Sequence, residues 1–290
     1  MVALVTVITP LVAFAGAVVL FWGRGITLLD LMLCGGMYAV TMLGITLGYH
    51  RLFTHRSFKC VPAVRVALCI AGSMAAQGPV FFWAACHRRH HKCSDEPGDP
   101  HSPHHDGHGL LESVRGLWHS HIGWMFSHEP ENYVRLVPDM IRDRQLMALN
   151  RFYFLWIFLG LVLPGAIAFA VTGSGHAFLS AVLWGGLVRL FLVHHSTWSI
   201  NSICHLFGST PYDTADHSRN NLVCALLTFG EGWHNNHHAV PTSARHGLRW
   251  WQCDVVFMMI RAMAVVKLAW DIRLPSAEQM SVKTKTGVAA

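Results

Sequence analysis

Four stretches of this chain have no place in a water-soluble fold. Residues 2–22, 26–49, 152–171 and 177–195 are almost uncharged. Each has about the 20 apolar residues that a helix needs to cross a bilayer. The first holds no charge, and the second holds one acid, Asp30, near its start. The third is charge-free, with Pro164 as a candidate kink. The fourth is interrupted only by Arg189, expected to snorkel toward the interface. Lipid offers the backbone no hydrogen-bond partner, so such stretches are predicted as helices. Short turns join them in pairs, Gly23-Arg24-Gly25 and Thr172-Gly-Ser-Gly175. The first stretch lacks a basic start and a small-residue cleavage site, which argues against a removable signal.

Composition agrees. Only 13% of the 290 residues are charged and 52% are hydrophobic. Soluble domains carry about 25% charged residues, and disordered chains need the opposite balance. A further apolar segment, Val61 to Ala85, contains Arg65 and Gln77. If it crossed the membrane, the histidine clusters would fall on opposite sides. If it does not, every Lys and Arg except Arg24 and Arg189 lies on one side, which the positive-inside rule makes cytoplasmic. The predicted fold is therefore a single all-α membrane domain over 1–290. It has four transmembrane helices in two hairpins under a helical cytoplasmic cap, built from 50–151 and 196–275. Residues 276–290 are expected to be a flexible tail.

The formal charge of +6 would suggest nucleic acid in a soluble protein. In a membrane protein it suits cytoplasmic loops, anionic head groups and acidic redox partners, and no nucleic acid is expected. The eight cysteines form no CxxC pair. They are expected to be small buried hydrophobes rather than a disulfide framework.

The 21 histidines nearly equal Lys and Arg together, at 22. Eight fall in three clusters: His50 and His55; His87, His90 and His91; His234, His237 and His238. The last two share the spacing H-x-x-H-H. Residues three and four apart share a helix face, so each triplet is expected to point at one site. A spacing of five drifts around a regular helix, so His50 and His55 would converge only at a helix end or bend. Eight imidazoles exceed the four ligands of one zinc and fit two metal ions. Ligand type alone leaves Fe, Zn, Cu and Ni open. His205 would add a ninth nitrogen, with Asn201 four residues earlier holding a water. A metal transporter or sensor would need ionisable groups inside the spans, and these clusters lie outside them.

At this point the residues resemble a family. The run Gly48-Tyr-His-Arg-Leu-Phe-Thr-His-Arg-Ser-Phe-Lys59 is similar to the first histidine box of stearoyl-type membrane fatty acyl desaturases. His87 to His91, with Ser94-Asp95 and Gly98-Asp-Pro-His101, resembles the second box, and Arg115 to Trp124 the stretch after it. Asn201 to His205, Ser218 to Asn221, Gly230 to Ala239 and Ser243 to Gly247 resemble the remaining elements, in order. The resemblance covers roughly residues 26–255. It implies a di-iron centre held by His50, His55, His87, His90, His91, His205, His234, His237 and His238, with Asn201 reaching a metal through water. It implies O2 as co-substrate and a cis double bond placed in a saturated long-chain acyl substrate, at the ninth carbon. A di-iron hydroxylase on the same scaffold is the alternative. No catalytic residue beyond the metal ligands is expected.

Two departures stand out. Animal acyl-CoA desaturases carry an Arg-Asp pair before the second box, contacting CoA; here the pair is Ala85-Cys86. CoA, lipid and carrier-protein substrates therefore all stay open. Residues Pro103 to Gly109 resemble an insertion. The chain has no His-Pro-Gly-Gly run of a fused haem domain, so electrons are expected from a separate ferredoxin or cytochrome b5. The lean chain, without a retention signal, points to a bacterial plasma membrane, with the endoplasmic reticulum as the alternative.

Other residues carry simpler expectations. His101, His104, His105 and His108 crowd a Pro/Gly loop and are read as solvated. His119 and His121 would support the site from outside. His194 and His195 would cap span four. Arg88, Arg89 and Lys92 would face an acidic donor, an anionic head group or plain solvent. Phe81, Phe82, Trp83, Trp184, Trp198, Trp250 and Trp251 are read mostly as interfacial anchors.

Overall fold

The computed structural model describes residues 2–21, 25–104, 109–127 and 133–284. Gly23 and Arg24 of the first turn, His105, His108 and the end of the tail lie outside the described residues. Among the described residues, four helices are long and apolar enough to cross a membrane. They are span 1 (Ala3–Phe21), span 2 (Leu28–Thr54), span 3 (Tyr153–Thr172) and span 4 (Gly175–His205). Val61 to Ala85 adds no fifth. It divides into a helix over Pro62–Ser73 and the start of another over Val80–Lys92. The chain reverses between them through left-handed Ala76 and Gly78. A 12-residue helix is only about 18 Å long, too short for hydrocarbon of about 30 Å.

Spans 2 and 4 run further than their apolar stretches. Span 2 continues as a π-helix over Gly44–Thr54. Span 4 includes a π-helical segment, Val182–Val188, and ends in a 3-10 turn at Ile203–His205. Both extensions are mostly buried in protein, so their polar side chains find partners there and the helix need not end at the membrane boundary. His194 and His195 are therefore mid-helix, not caps. His194 Nε2 donates to the Ala75 carbonyl at 2.7 Å, and His195 Nδ1 meets His121 Nε2 at 3.0 Å. Arg189 does not snorkel. It is fully buried, donating to the carbonyls of Gly185, Met74 and Gly160. It thereby ties span 4 to span 3 and to the turn after Ser73. Three carbonyl acceptors compensate much of the cost of burying a guanidinium.

Close backbone approach sets the rest. A side chain at Gly44 would collide with the backbone of Ala71 and Gly72, so span 2 and the Pro62–Ser73 helix pack almost in contact. Tyr49 lies across Gly72 and bonds to Ser73 Oγ at 2.8 Å. Span 3 remains helical through Pro164 and stops at Gly173, whose φ of +67° suits a residue without a Cβ. Ser174 then caps span 4.

The main core joins Met42, Ile45 and Phe53 of span 2 to Val193 of span 4 and to Val256 and Ile260 of the Val255–Val265 helix. Spans 1 and 3 are the less buried and present Val12, Val19, Phe158 and Val171 outward, an apolar face that lipid would cover. A two-stranded antiparallel ribbon pairs Lys59 with Trp270 and Cys60 with Ala269. The expected flexible tail is partly structured. Ala277–Lys283 is a helix with a Ser276/Gln279 capping box, and Thr284 bridges to Tyr212. None of the eight cysteines is in a disulfide. Most are buried, and Cys253 is exposed.

Candidate metal centre

All nine histidines singled out in the sequence converge, but in two groups. His50, His55, His87, His91 and His237 form one, and His90, His205, His234 and His238 the other. Within each group the ligand atoms lie within 4.8 Å of one another. The groups abut, with the His91 and His238 rings stacked at 4.4 Å.

The H-x-x-H-H triplets do not each serve one site. Residues i and i+4 stay together, while i+3 leaves for the other group. His87 and His91 join the first group and His90 the second; His234 and His238 join the second and His237 the first. The angular step explains this. At about 100° per residue, positions i and i+4 differ by about 40° and i and i+3 by about 60° on the other side. Two short helices placed across from each other therefore exchange one histidine each.

His50 and His55 meet at a helix end, as expected: the π-helix stops at Thr54 and His55 is its C-cap. The π-helix also aligns them. Its hydrogen bonds join residues five apart, and the His55 N–H donates to the His50 carbonyl at 3.1 Å. That brings the two rings to 4.7 Å.

Carboxylates orient four of the rings. His50 Nδ1 donates to Glu231 at 2.5 Å, His90 to Asp99 at 2.9 Å, His205 to Asp95 at 2.8 Å and His238 to Asp216 at 2.6 Å. An ionised carboxylate only accepts, so each Nδ1 carries the proton and each Nε2 presents a lone pair. Burial pushes the Asp95 and Asp99 carboxyls up, but His205 and His90 respectively outweigh it and hold them well below the usual range. Burial likewise opposes ionisation of Glu231, yet Arg51 and then His50 keep it far below its ordinary value. Arg51 is fully buried. It donates to Glu231 Oε1 at 2.9 Å, to Asp254 Oδ2 at 3.0 Å and to the Ala244 carbonyl at 2.7 Å.

The facing nitrogens are the test of fit. In the first group His50 Nε2 lies 2.9 Å from His87 Nε2 and 3.2 Å from His237 Nε2. His87 Nε2 is also 2.8 Å from His55 and 3.0 Å from His91. One proton on each ring cannot satisfy so many mutual contacts. In the second group the Nε2 atoms of His90 and His238 have no hydrogen-bond partner although buried. Burial, then neighbouring imidazoles, push His55, His87, His91, His234, His237 and His238 well below the usual histidine range. Neutral imidazoles with lone pairs aimed at one another repel unless a cation sits between them. The donor set fits two metal ions.

The asparagines between the box histidines hold the short His234–Ala239 helix in place. Asn236 donates to the His246 carbonyl and to Gln252, and accepts from Asn220. Asn235 accepts from the Tyr212 N–H. A cavity of about 550 Å³ adjoins both groups. His50, His87 and His234 border it, as do Phe82, Trp83 and Trp198; these three aromatics line it rather than serve as interfacial anchors. Asn201 lines the same cavity.

Several expectations change here. His101 is buried, not solvated. Its Nδ1 is 3.7 Å from Asp99, and burial, then His90, push its pKa to about 3. His104 donates to the His205 carbonyl at 2.9 Å. His121 bonds Ser202 and His195, away from both groups. Arg88 pairs with Asp139 at 2.6 Å and donates to the Thr54 and Leu136 carbonyls. Arg89 donates to the Gly98 carbonyl. Glu231, Asp216, Asp254 and Arg51 had no assigned role in the sequence. The one signal was Glu231, three residues before His234.

Comparison with known proteins agrees with this site. A profile of the fatty acid desaturase family matches residues 30–266, a stretch that contains all nine histidines. A hex-5-enoyl-[acyl-carrier protein] acetylenase of Moorena producens is 44% identical over 278 residues, covering 95% of this chain and 87% of that protein. An sn-1 stearoyl-lipid 9-desaturase of a Synechocystis species is 42% identical over 251 residues, 85% of this chain and 73% of the relative. The delta-9 acyl-lipid desaturase 1 of Arabidopsis thaliana is 37% identical over 243 residues, 84% and 75% respectively. Similarity this deep, running through the same residues that gather the imidazoles, has one meaning: the chain belongs to the fatty acid desaturase family and is an oxidoreductase of lipid metabolism.

Proposed function

We propose that this protein is an O2-dependent desaturase that places a cis double bond in a saturated long-chain acyl substrate. The observation that carries this reading is the pair of facing imidazole groups beside one cavity. His50, His55, His87, His91 and His237 would hold one iron, and His90, His205, His234 and His238 the other. Asn201 would reach the second through water. When bound, such a pair supplies the oxidant that an unactivated alkyl C–H bond requires, since that bond has no acid–base handle. The balance is simple. The chain loses two hydrogens, and O2 takes four electrons, two from the C–H pair and two from an external donor. With two further protons it leaves as two waters. A ferredoxin or cytochrome b5 suits the donor role.

The chain's own residues contribute binding and exclusion of water. Phe82, Trp83 and Trp198 wall the cavity, so one methylene pair can rest beside the imidazole groups in a dry site. The four carboxylates keep the Nδ1 protons in place, so the Nε2 lone pairs stay available. The arrangement in the membrane is four spans in two hairpins with the histidine groups on the cytoplasmic side, supported by the positive-inside count. The named 9-desaturase relatives support the ninth carbon as the position.

The test is mass spectrometry of fatty acids from cells expressing the protein, with double bonds mapped. A new monounsaturated species is expected. A hydroxy acid in its place would move the reading to a hydroxylase. A triple bond would bring it to the chemistry named for the Moorena relative. A second prediction concerns the supporting carboxylates. Asp216→Ala removes the acceptor of the His238 Nδ1 proton and is expected to weaken metal binding about 10- to 100-fold. Titration with a competing chelator measures it, and unchanged affinity would deny Asp216 that role.

A further inference from the structure

One imidazole beside the first group has no place among the nine ligands. His246 is buried, with its ring 4.5 Å from that of His237 and 5.4 Å from that of His50. Its backbone is held from both sides. Its N–H donates to Asp254 Oδ2 at 2.7 Å, and its carbonyl accepts from Asn236 Nδ2 at 2.7 Å. Asn236 is the residue before His237, so the helix that carries the ligand also holds the backbone of its neighbour. Gly247 completes the fit, since a side chain there would collide with the Gln252 carbonyl.

His237 needs such a neighbour. Its Nε2 faces the first group, 2.9 Å from His91 Nε2 and 3.2 Å from His50 Nε2. A metal-binding imidazole carries its proton on the other nitrogen and donates it to an acceptor. Four of the nine rings have a carboxylate for this. Among the described ligands, only His237 has its outward nitrogen, Nδ1, buried without a partner.

His246 supplies the complement. Its Nδ1 lies 3.2 Å from Glu231 Oε2. A lone pair turned to a carboxylate would be repelled, so Nδ1 carries the proton and Nε2 is the acceptor. Burial, then Arg51, disfavour a second proton on the ring. That Nε2 is also buried without a partner. An orphaned donor and an orphaned acceptor thus sit in adjoining rings, and each is costly to leave unmade. A small ring rotation joins them.

Resting on the two-metal reading above, we propose that His246 is a positioning residue for the first iron. Its Nε2 accepts a hydrogen bond from His237 Nδ1, and its Nδ1 donates one to Glu231. Glu231 then orients two ligands from different elements: His50 of span 2 directly, and His237 of the His234–Ala239 helix through His246. Arg51, 2.9 Å from the other oxygen of the same carboxylate, anchors both.

The test is chelator competition on the full-length, iron-loaded protein, with iron counted per chain. In His246→Phe one iron should leave at a chelator concentration at least about tenfold below wild type, and the other as in wild type. His246→Gln keeps a carbonyl to accept and an amide N–H to donate, and should recover most of that affinity. Wild-type affinity in the phenylalanine variant would overturn the proposal. So would a glutamine variant as weak as the phenylalanine one, since His246 would then act by packing. Three irons per chain falling to two in His246→Phe would make His246 a ligand and overturn it as well. A second measurement does not depend on whether that variant folds. Protein loaded with Zn(II) and isotopically labelled at its histidine nitrogens should show a nitrogen–nitrogen coupling across an imidazole–imidazole hydrogen bond. It is distinct from that of His121 with His195, which His121→Phe removes. Absence of this coupling overturns the proposal and leaves the two-metal reading standing. A wild-type protein that binds no metal overturns both.

Discussion

Replacing His237 by alanine is expected to abolish desaturation, by at least about 100-fold, with the protein still inserted in the membrane. The expectation rests on where its Nε2 lies, 2.9 Å from His91 and 3.2 Å from His50. No other histidine of the His234–Ala239 helix belongs to the first group. Losing it removes one of five nitrogens there and leaves the second group intact. Ligand-supporting residues alone alter affinity or activity about 10- to 100-fold, so a ligand should exceed that. Iron analysis adds a readout independent of turnover. His237→Ala should lower iron below two per chain by depleting one group, and His238→Ala should deplete the other. A His237→Ala protein with full activity and two irons would remove His237 from the ligand set.

The second large effect concerns stability. Arg51→Met should destabilise the fold by about 3–5 kcal/mol, the usual cost of breaking a buried ion pair by removing one partner. Arg51 and its two carboxylate partners are buried. Asp254 also accepts from the backbone N–H groups of His246 and Phe257. Without the guanidinium, two ionised carboxylates would face each other in a dry core. A lower thermal midpoint in detergent is the measurement. The triple variant with Glu231→Gln and Asp254→Asn should recover part of the loss, because it removes the stranded charges. A midpoint unchanged in Arg51→Met would mean that the Arg51 triad is not what joins span 2 to the segment after the third box.

Much of the candidate site was legible because imidazole is rare and its spacing is conspicuous. His87 to His91 and His234 to His238 announce metal chemistry before any coordinates. How the ligands divide was not legible. The triplet spacing suggested one site per cluster, because helix-face reasoning treats i+3 and i+4 as equivalent neighbours. With a metal on each side, the difference between them decides. For His50 and His55 the helix end was expected and is found at Thr54; the π-helical pitch that aligns residues five apart has no sequence signature. Asp216 lies far from any histidine box, and only the fold brings it to His238.

The same division holds for the molecule as a whole. Four apolar stretches, a histidine excess and the order of the boxes follow from composition and local periodicity, since hydrocarbon length and helical angle act on neighbours along the chain. The sequence by itself therefore marked four apolar stretches, the short Val61–Ala85 exception and eight clustered imidazoles, with His205 added by resemblance. Burial depends on what the rest of the chain brings alongside, and that the tertiary structure decided. Arg189 binds three carbonyls rather than water, His101 is enclosed rather than solvated, and Arg88 is turned inward on Asp139. A charged side chain goes wherever its hydrogen bonds can be completed, and those partners are as many as 203 residues away, as between Arg51 and Asp254.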